Sequence, residues 1–139
     1  MAINFQSEEV SFPLIKKRET VNWIRSVAKT YGKSTGEISY MFCNDEKIIA
    51  INRRFLQHDY YTDIITFDYS EGLVISGDIF ISLDTVRSNS QMYNVSFEEE
   101  LYRVIIHGIL HLCGMTDDSA TEEKEMREAE NRALELLNI

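Results

Sequence analysis

Residues 104–118 read V-I-I-H-G-I-L-H-L-C-G-M-T-D-D, and this stretch limits the possible folds more than any other part of the chain. Apolar residues fill nearly every position up to Cys113, so a helix here has no wide polar face to offer water and belongs inside a domain. The polar exceptions, His107 and His111, stand four apart. A helix turns about 100° per residue, so positions four apart lie about 40° from each other on one face. Two imidazoles stacked in that way can grip one metal ion. Gly114 is the natural end of the helix, because glycine takes the left-handed turn at little cost. A turn there brings Asp117 or Asp118 toward the histidines. Two ring nitrogens and one carboxylate oxygen leave a fourth tetrahedral position for water, the pattern of a catalytic zinc site.

The plainer reading is two core histidines, each bonded to a carbonyl. The glycine turn and the acids after it bring the metal reading level with this plainer one. Zinc peptidases place a glutamate beside the first histidine as general base, and here that position is Gly108, which argues against a peptidase. Cys113 lies about 240° round the helix from His107 and about 200° from His111, off the shared face.

The block H-G-I-L-H-L-C-G and its acid-rich turn resemble the signature of the YbeY family of metal-dependent bacterial endoribonucleases, which mature ribosomal RNA. The resemblance extends to residues 52–67 and 76–82, and so to most of the chain from about residue 50 onward. That family usually carries three histidines in His-x3-His-x5-His spacing; His107 and His111 match the first two, and Asp117 stands at the third. Aspartate is a competent zinc ligand, so the resemblance implies one Zn2+ held by His107, His111 and Asp117. It further implies single-stranded ribosomal RNA as substrate, a role in ribosome quality control and the small ribosomal subunit as partner. The family arginine near the end of the 45–56 helix falls at Leu56 here, which leaves Arg53, Arg54 or His58 to substitute.

A length of 139 residues suits one domain, residues 1–139, with a sizeable core. No apolar run approaches the roughly 20 residues needed to span a bilayer, and the acidic and lysine-rich N-terminal region does not read as a signal peptide. Two cysteines, Cys43 and Cys113, are too few for a disulfide framework, so a reduced, cytoplasmic protein is expected. The net charge of −9 is awkward for an RNA-binding protein, because phosphate contacts dominate nucleic-acid affinity. It is unevenly spread: residues 1–54 carry nine Lys/Arg against six Asp/Glu, and residues 55–139 five against seventeen. A polarised molecule could bind RNA with its basic half and leave its acidic helices in solvent.

Strands are expected over residues 2–7, 36–43, 62–69 and 72–82, the last two as a hairpin, with Gly77 marking a bulge or a close backbone approach. Helices are expected from Phe12-Pro13 to Gly32, over 45–56 behind an Asn44 cap, over 84–93, over 97–113 behind Ser96, and from Ser119 to about 138. The first should bury Leu14, Val21, Ile24, Val27 and Ala28 with Trp23 at its margin, and the second should bury Phe55. Asp63, Asp68 and Asp78 have no ligand spacing and are left out of the site. The sum is an α+β fold, a mixed sheet of about four strands covered by about five helices, with a buried central helix carrying the metal site. Its leading function is zinc-assisted hydrolysis of single-stranded RNA; a ribosome-assembly factor with a structural metal, or a hydrolase of another substrate, are the alternatives.

Overall fold

The computed structural model describes residues 2–56 and 62–137. Among them are the strands β1 (Ile3–Ser7), β2 (Ser34–Cys43), β3 (Ile64–Asp68) and β4 (Val74–Ser82), in sheet order β1-β2-β4-β3. The β1–β2 and β2–β4 pairings are parallel, and β3–β4 is an antiparallel hairpin. The helices are α1 (Lys17–Thr30), α2 (Asp45–Ile51), α3 (Leu83–Met92), α4 (Phe97–Leu112) and α5 (Ala120–Glu135). This is the expected α+β fold with a mixed sheet. None of the described helices is long and apolar enough to cross a membrane.

Strand periodicity sends alternate side chains to opposite faces. One face carries Ile38, Tyr40 and Phe42 from β2 and Ile75, Ile79 and Ile81 from β4, all buried in the main core with α1, α4 and α5. The other carries a smaller cluster, Cys43, Ile48, Ile51 and Ile65, where α2 packs. Helix α4 lies centrally, with Leu101, Ile105, Ile106 and Ile109 almost wholly buried. The Tyr40 hydroxyl donates to the Ile105 carbonyl at 2.8 Å and ties the sheet to that helix.

Two glycines let α4 sit this close. A Cβ added at Gly77 would lie 2.5 Å from the Phe67 carbonyl oxygen and 3.1 Å from Leu112 Cδ2, so the close approach expected there is real. A Cβ at Gly108 would lie 3.0 Å from Ile79 Cδ1 and 3.2 Å from Ile64 Cδ1. Position 108 therefore faces the sheet, and a peptidase-type glutamate has no room there.

Several local expectations need correction. Helix α1 starts at Lys17 rather than at Phe12-Pro13, behind Lys16, which makes no side-chain cap. The Phe12 ring packs edge-on against Phe42 instead, at 5.6 Å, and the intervening Leu14 is 93% exposed, not buried. Trp23 is not marginal: it is 4% exposed, edge-on to Tyr102, and its Nε1 donates to the Ala133 carbonyl at 2.8 Å. A buried indole needs such a partner, and a carbonyl in the last turn of α5 supplies it. The 45–56 helix is α-helical only to Ile51 and continues as a π-helical turn, Asn52–Leu56. The wider turn rotates Phe55 off the buried stripe, leaving it 58% exposed and edge-on to Phe67. His58 lies outside the described residues.

Candidate metal centre

The C-terminus of α4 closes in a Schellman motif. Gly114, at φ +102°, donates its N–H to the His111 carbonyl at 3.0 Å, and Met115 donates to the Leu110 carbonyl at 3.1 Å. The chain doubles back over the last helical turn and returns Asp117 to the face that bears the histidines. His107 Nε2 lies 3.5 Å from Asp117 Oδ2, and His111 Nε2 lies 3.5 Å from Asp117 Oδ1. One ligand atom from each of the three residues falls within 4.8 Å of the others.

Those spacings suit an ion better than direct bonds. A tetrahedral ion with bonds of about 2.05 Å holds its ligands about 3.3 Å apart. The donor set of two imidazoles and a carboxylate is a transition-metal set, and it fits. Among the described residues no fourth His, Cys, Asp or Glu joins the group. Asp118 stays outside it, and so does Cys113, whose thiol is pushed up to about 11 by burial.

The next layer of contacts comes from α5. Glu130 Oε2 lies 2.7 Å from His107 Nδ1, and Glu130 Oε1 accepts from Arg103 Nη1 at 3.0 Å. Arg103 Nη2 also donates to Asn131 Oδ1 at 2.8 Å. An ionised carboxylate only accepts, so His107 Nδ1 carries the proton of that bond and Nε2 turns its lone pair toward Asp117. Burial depresses the His107 pKa, but the Glu130 hydrogen bond and charge, with Asp63 and Asp117 behind them, outweigh burial and raise it.

These groups line a cleft of about 800 Å³ walled by α4, α5 and the start of β3. Its described walls hold the carboxylates Asp63, Glu100, Asp117, Asp118, Glu123 and Glu130 against two guanidiniums, Arg103 and Arg127. The basic residues of α1 do not line it, nor do Arg53 and Arg54, so the basic N-terminal half is not the cleft wall. Asp63, set aside in the sequence, does line it; burial raises its pKa and His107 lowers it. Two signals could have widened the sequence reading. Glu100, Arg103, His107 and His111 recur every three or four residues as one polar stripe on an apolar helix, and Glu130 interrupts the small apolar stripe of α5.

Glu100 is 5% exposed, and burial and then Asp63 raise its pKa against the opposing pull of Arg103 and Arg127. A carboxyl with a raised folded-state pKa binds its proton better folded than unfolded, so its charge costs stability as pH rises from the ordinary value of 4.5 through the raised one. Glu100→Gln is therefore expected to raise Tm at pH 7, with the gain vanishing toward pH 4, as differential scanning calorimetry would show.

The endoribonuclease YbeY family model matches residues 2–138. Endoribonuclease YbeY of Parabacteroides distasonis is 60% identical over 137 residues, covering 99% of this chain and 96% of the relative. That of Bacteroides thetaiotaomicron is 60% identical over 134 residues, covering 96% and 98%. This chain belongs to the endoribonuclease YbeY family. The YbeY match begins near residue 2, well ahead of the residue-50 boundary at which the resemblance was legible. The solution structure of TM1509 from Thermotoga maritima superposes with a TM-score of 0.67 at 25% identity, over 98% of this chain and 89% of that one.

Proposed function

We propose that this chain, acting as one domain in the cytoplasm, is a zinc-dependent endoribonuclease that cleaves single-stranded ribosomal RNA in ribosomal RNA maturation and quality control at the small ribosomal subunit. The observation that carries the reading is the convergence of His107, His111 and Asp117 at the floor of an open polar cleft. Those three residues would hold the ion. Bound zinc supplies Lewis acidity to the phosphodiester and to the attacking water.

The chain's own groups do the rest. Glu130 fixes the His107 ring and its tautomer through Nδ1, and Arg103 fixes Glu130. The helix that carries both imidazoles is buried against the sheet, so their bearing is set before any substrate arrives. An assembly factor with a structural metal would wrap the ion in protein ligands; the group of three and the cleft beside it favour an enzyme.

Zinc-loaded protein is expected to cleave a single-stranded ribosomal RNA fragment, and both a chelator and His111→Ala should abolish that cleavage. Activity unchanged in His111→Ala would refute the nuclease reading, since a contaminating nuclease would survive that change. End-group analysis of the products separates attack by water from attack by the neighbouring ribose hydroxyl.

A further inference from the structure

The cleft is much larger than an ion requires, and its charge is wrong for RNA. Six carboxylates face two guanidiniums among the described lining residues, and a divalent ion offsets only half of the difference. A phosphodiester chain must find a cation somewhere along these walls. Arg103 is committed, since both of its terminal nitrogens are bonded, to Glu130 and Asn131. Arg127 is not. It is exposed, it makes no hydrogen bond or ion pair with any described residue, and its guanidinium carbon sits 5.6 Å from the centroid of the Tyr93 ring. Charge–charge coupling to Glu100 is its other tie to the cleft.

Tyr93 closes the C-terminal end of α3 on the rim of the same cleft and is 51% exposed. A large aromatic ring left half in water beside a guanidinium is a surface on which an unpaired base can stack. Asn89, one turn earlier on α3, also lines the cleft, and its side-chain amide makes no hydrogen bond with a described residue. An amide offers both donors and an acceptor to a base edge. Arg127 lies three residues before Glu130 on α5, about 4.5 Å along the axis, so this rim is one helical turn from the group that holds His107.

Resting on the nuclease reading, we propose that Tyr93, Arg127 and Asn89 form a nucleotide subsite beside the candidate metal centre. Tyr93 stacks an unpaired base of the RNA next to the cleaved bond, Asn89 bonds its edge, and Arg127 takes its phosphate. A base held in a duplex presents no face to Tyr93, so the subsite selects single strands. It also moves the cationic contact from the basic N-terminal half, where the charge distribution points, to the far wall of an acidic cleft.

The test measures Kd by fluorescence anisotropy for a labelled oligouridylate, in full-length His111→Ala protein so that no cleavage intervenes. Tyr93→Ala in that background is expected to weaken binding roughly 5- to 150-fold, the range for losing one base stack, and Tyr93→Phe to restore it. Arg127→Gln should flatten the slope of log affinity against log salt by about 0.7, the share of one phosphate on a single strand. A pair that only braces α3 against α5 would instead lower Tm and leave the affinity of the folded protein unchanged. Parent-like affinity in Tyr93→Ala overturns the subsite, and cleavage by the wild type then leaves the nuclease reading standing. Binding with the Tyr93 and Arg127 signature, without cleavage by the wild type, upholds the subsite and sinks the nuclease reading. No binding of oligouridylate by the parent at low salt overturns the subsite, and cleavage by the wild type again decides the nuclease reading on its own.

Discussion

Asp117→Ala protein, purified and dialysed against trace zinc, is expected to retain almost none, with an affinity reduced by more than about 100-fold. Loss of a residue that merely orients a ligand costs 10- to 100-fold in metal affinity, and loss of a ligand itself exceeds that. Asp117 is also the only anion among the three, facing both Nε2 atoms at 3.5 Å, so its removal takes away the charge that best offsets a divalent ion. The fold should survive, because the Asp117 side chain is 35% exposed and lies in the loop between α4 and α5. The discriminating companion is Asp117→His. It rebuilds the three-histidine spacing of the family from which this chain departs, and it should keep zinc. Stoichiometric zinc in both Asp117→Ala and His107→Ala, by metal analysis, would dispose of this ligand set.

Glu130→Gln is expected to weaken zinc 10- to 100-fold while the protein stays folded. The glutamine amide has one carbonyl oxygen where the carboxylate used two, so it cannot serve His107 Nδ1 and Arg103 together as Oε2 and Oε1 do at 2.7 and 3.0 Å. Glu130→Ala should add a loss of stability of roughly 3 kcal/mol, because it leaves the Arg103 guanidinium, 14% exposed, with Asn131 alone. Competition titration with a zinc chelator reads the first effect, and thermal melting of metal-free protein reads the second. Unchanged zinc affinity in Glu130→Gln would reduce Glu130 to a structural partner of Arg103.

What was legible in the chain is what is local. His107, His111, Gly114 and Asp117 lie within eleven consecutive residues, and helix periodicity with one left-handed turn is enough to bring them together. The buried α4 follows from its unbroken apolar character in the same way. Asp63, Tyr93 and Arg127 reach the cleft from other elements, so nothing in their own surroundings marks them, and Glu130 shows only as a break in the small apolar stripe of α5. The errors share that origin. Trp23 reads as marginal on its own helix because the carbonyl that receives its N–H belongs to α5. Phe55 reads as core because periodicity assumes an α-helix, and one π turn shifts every residue after it.

The contact at Gly108 carries a mechanical implication. With Ile79 and Ile64 poised against the bare backbone there, α4 cannot roll about its axis without driving a neighbouring side chain into β3 or β4. The angle at which the two imidazoles project is thus set by the sheet beneath them and owes nothing to what they grip. If the proposed centre holds an ion, that ion meets a socket already cut to shape, and exchange of one metal for another should leave the backbone where it was.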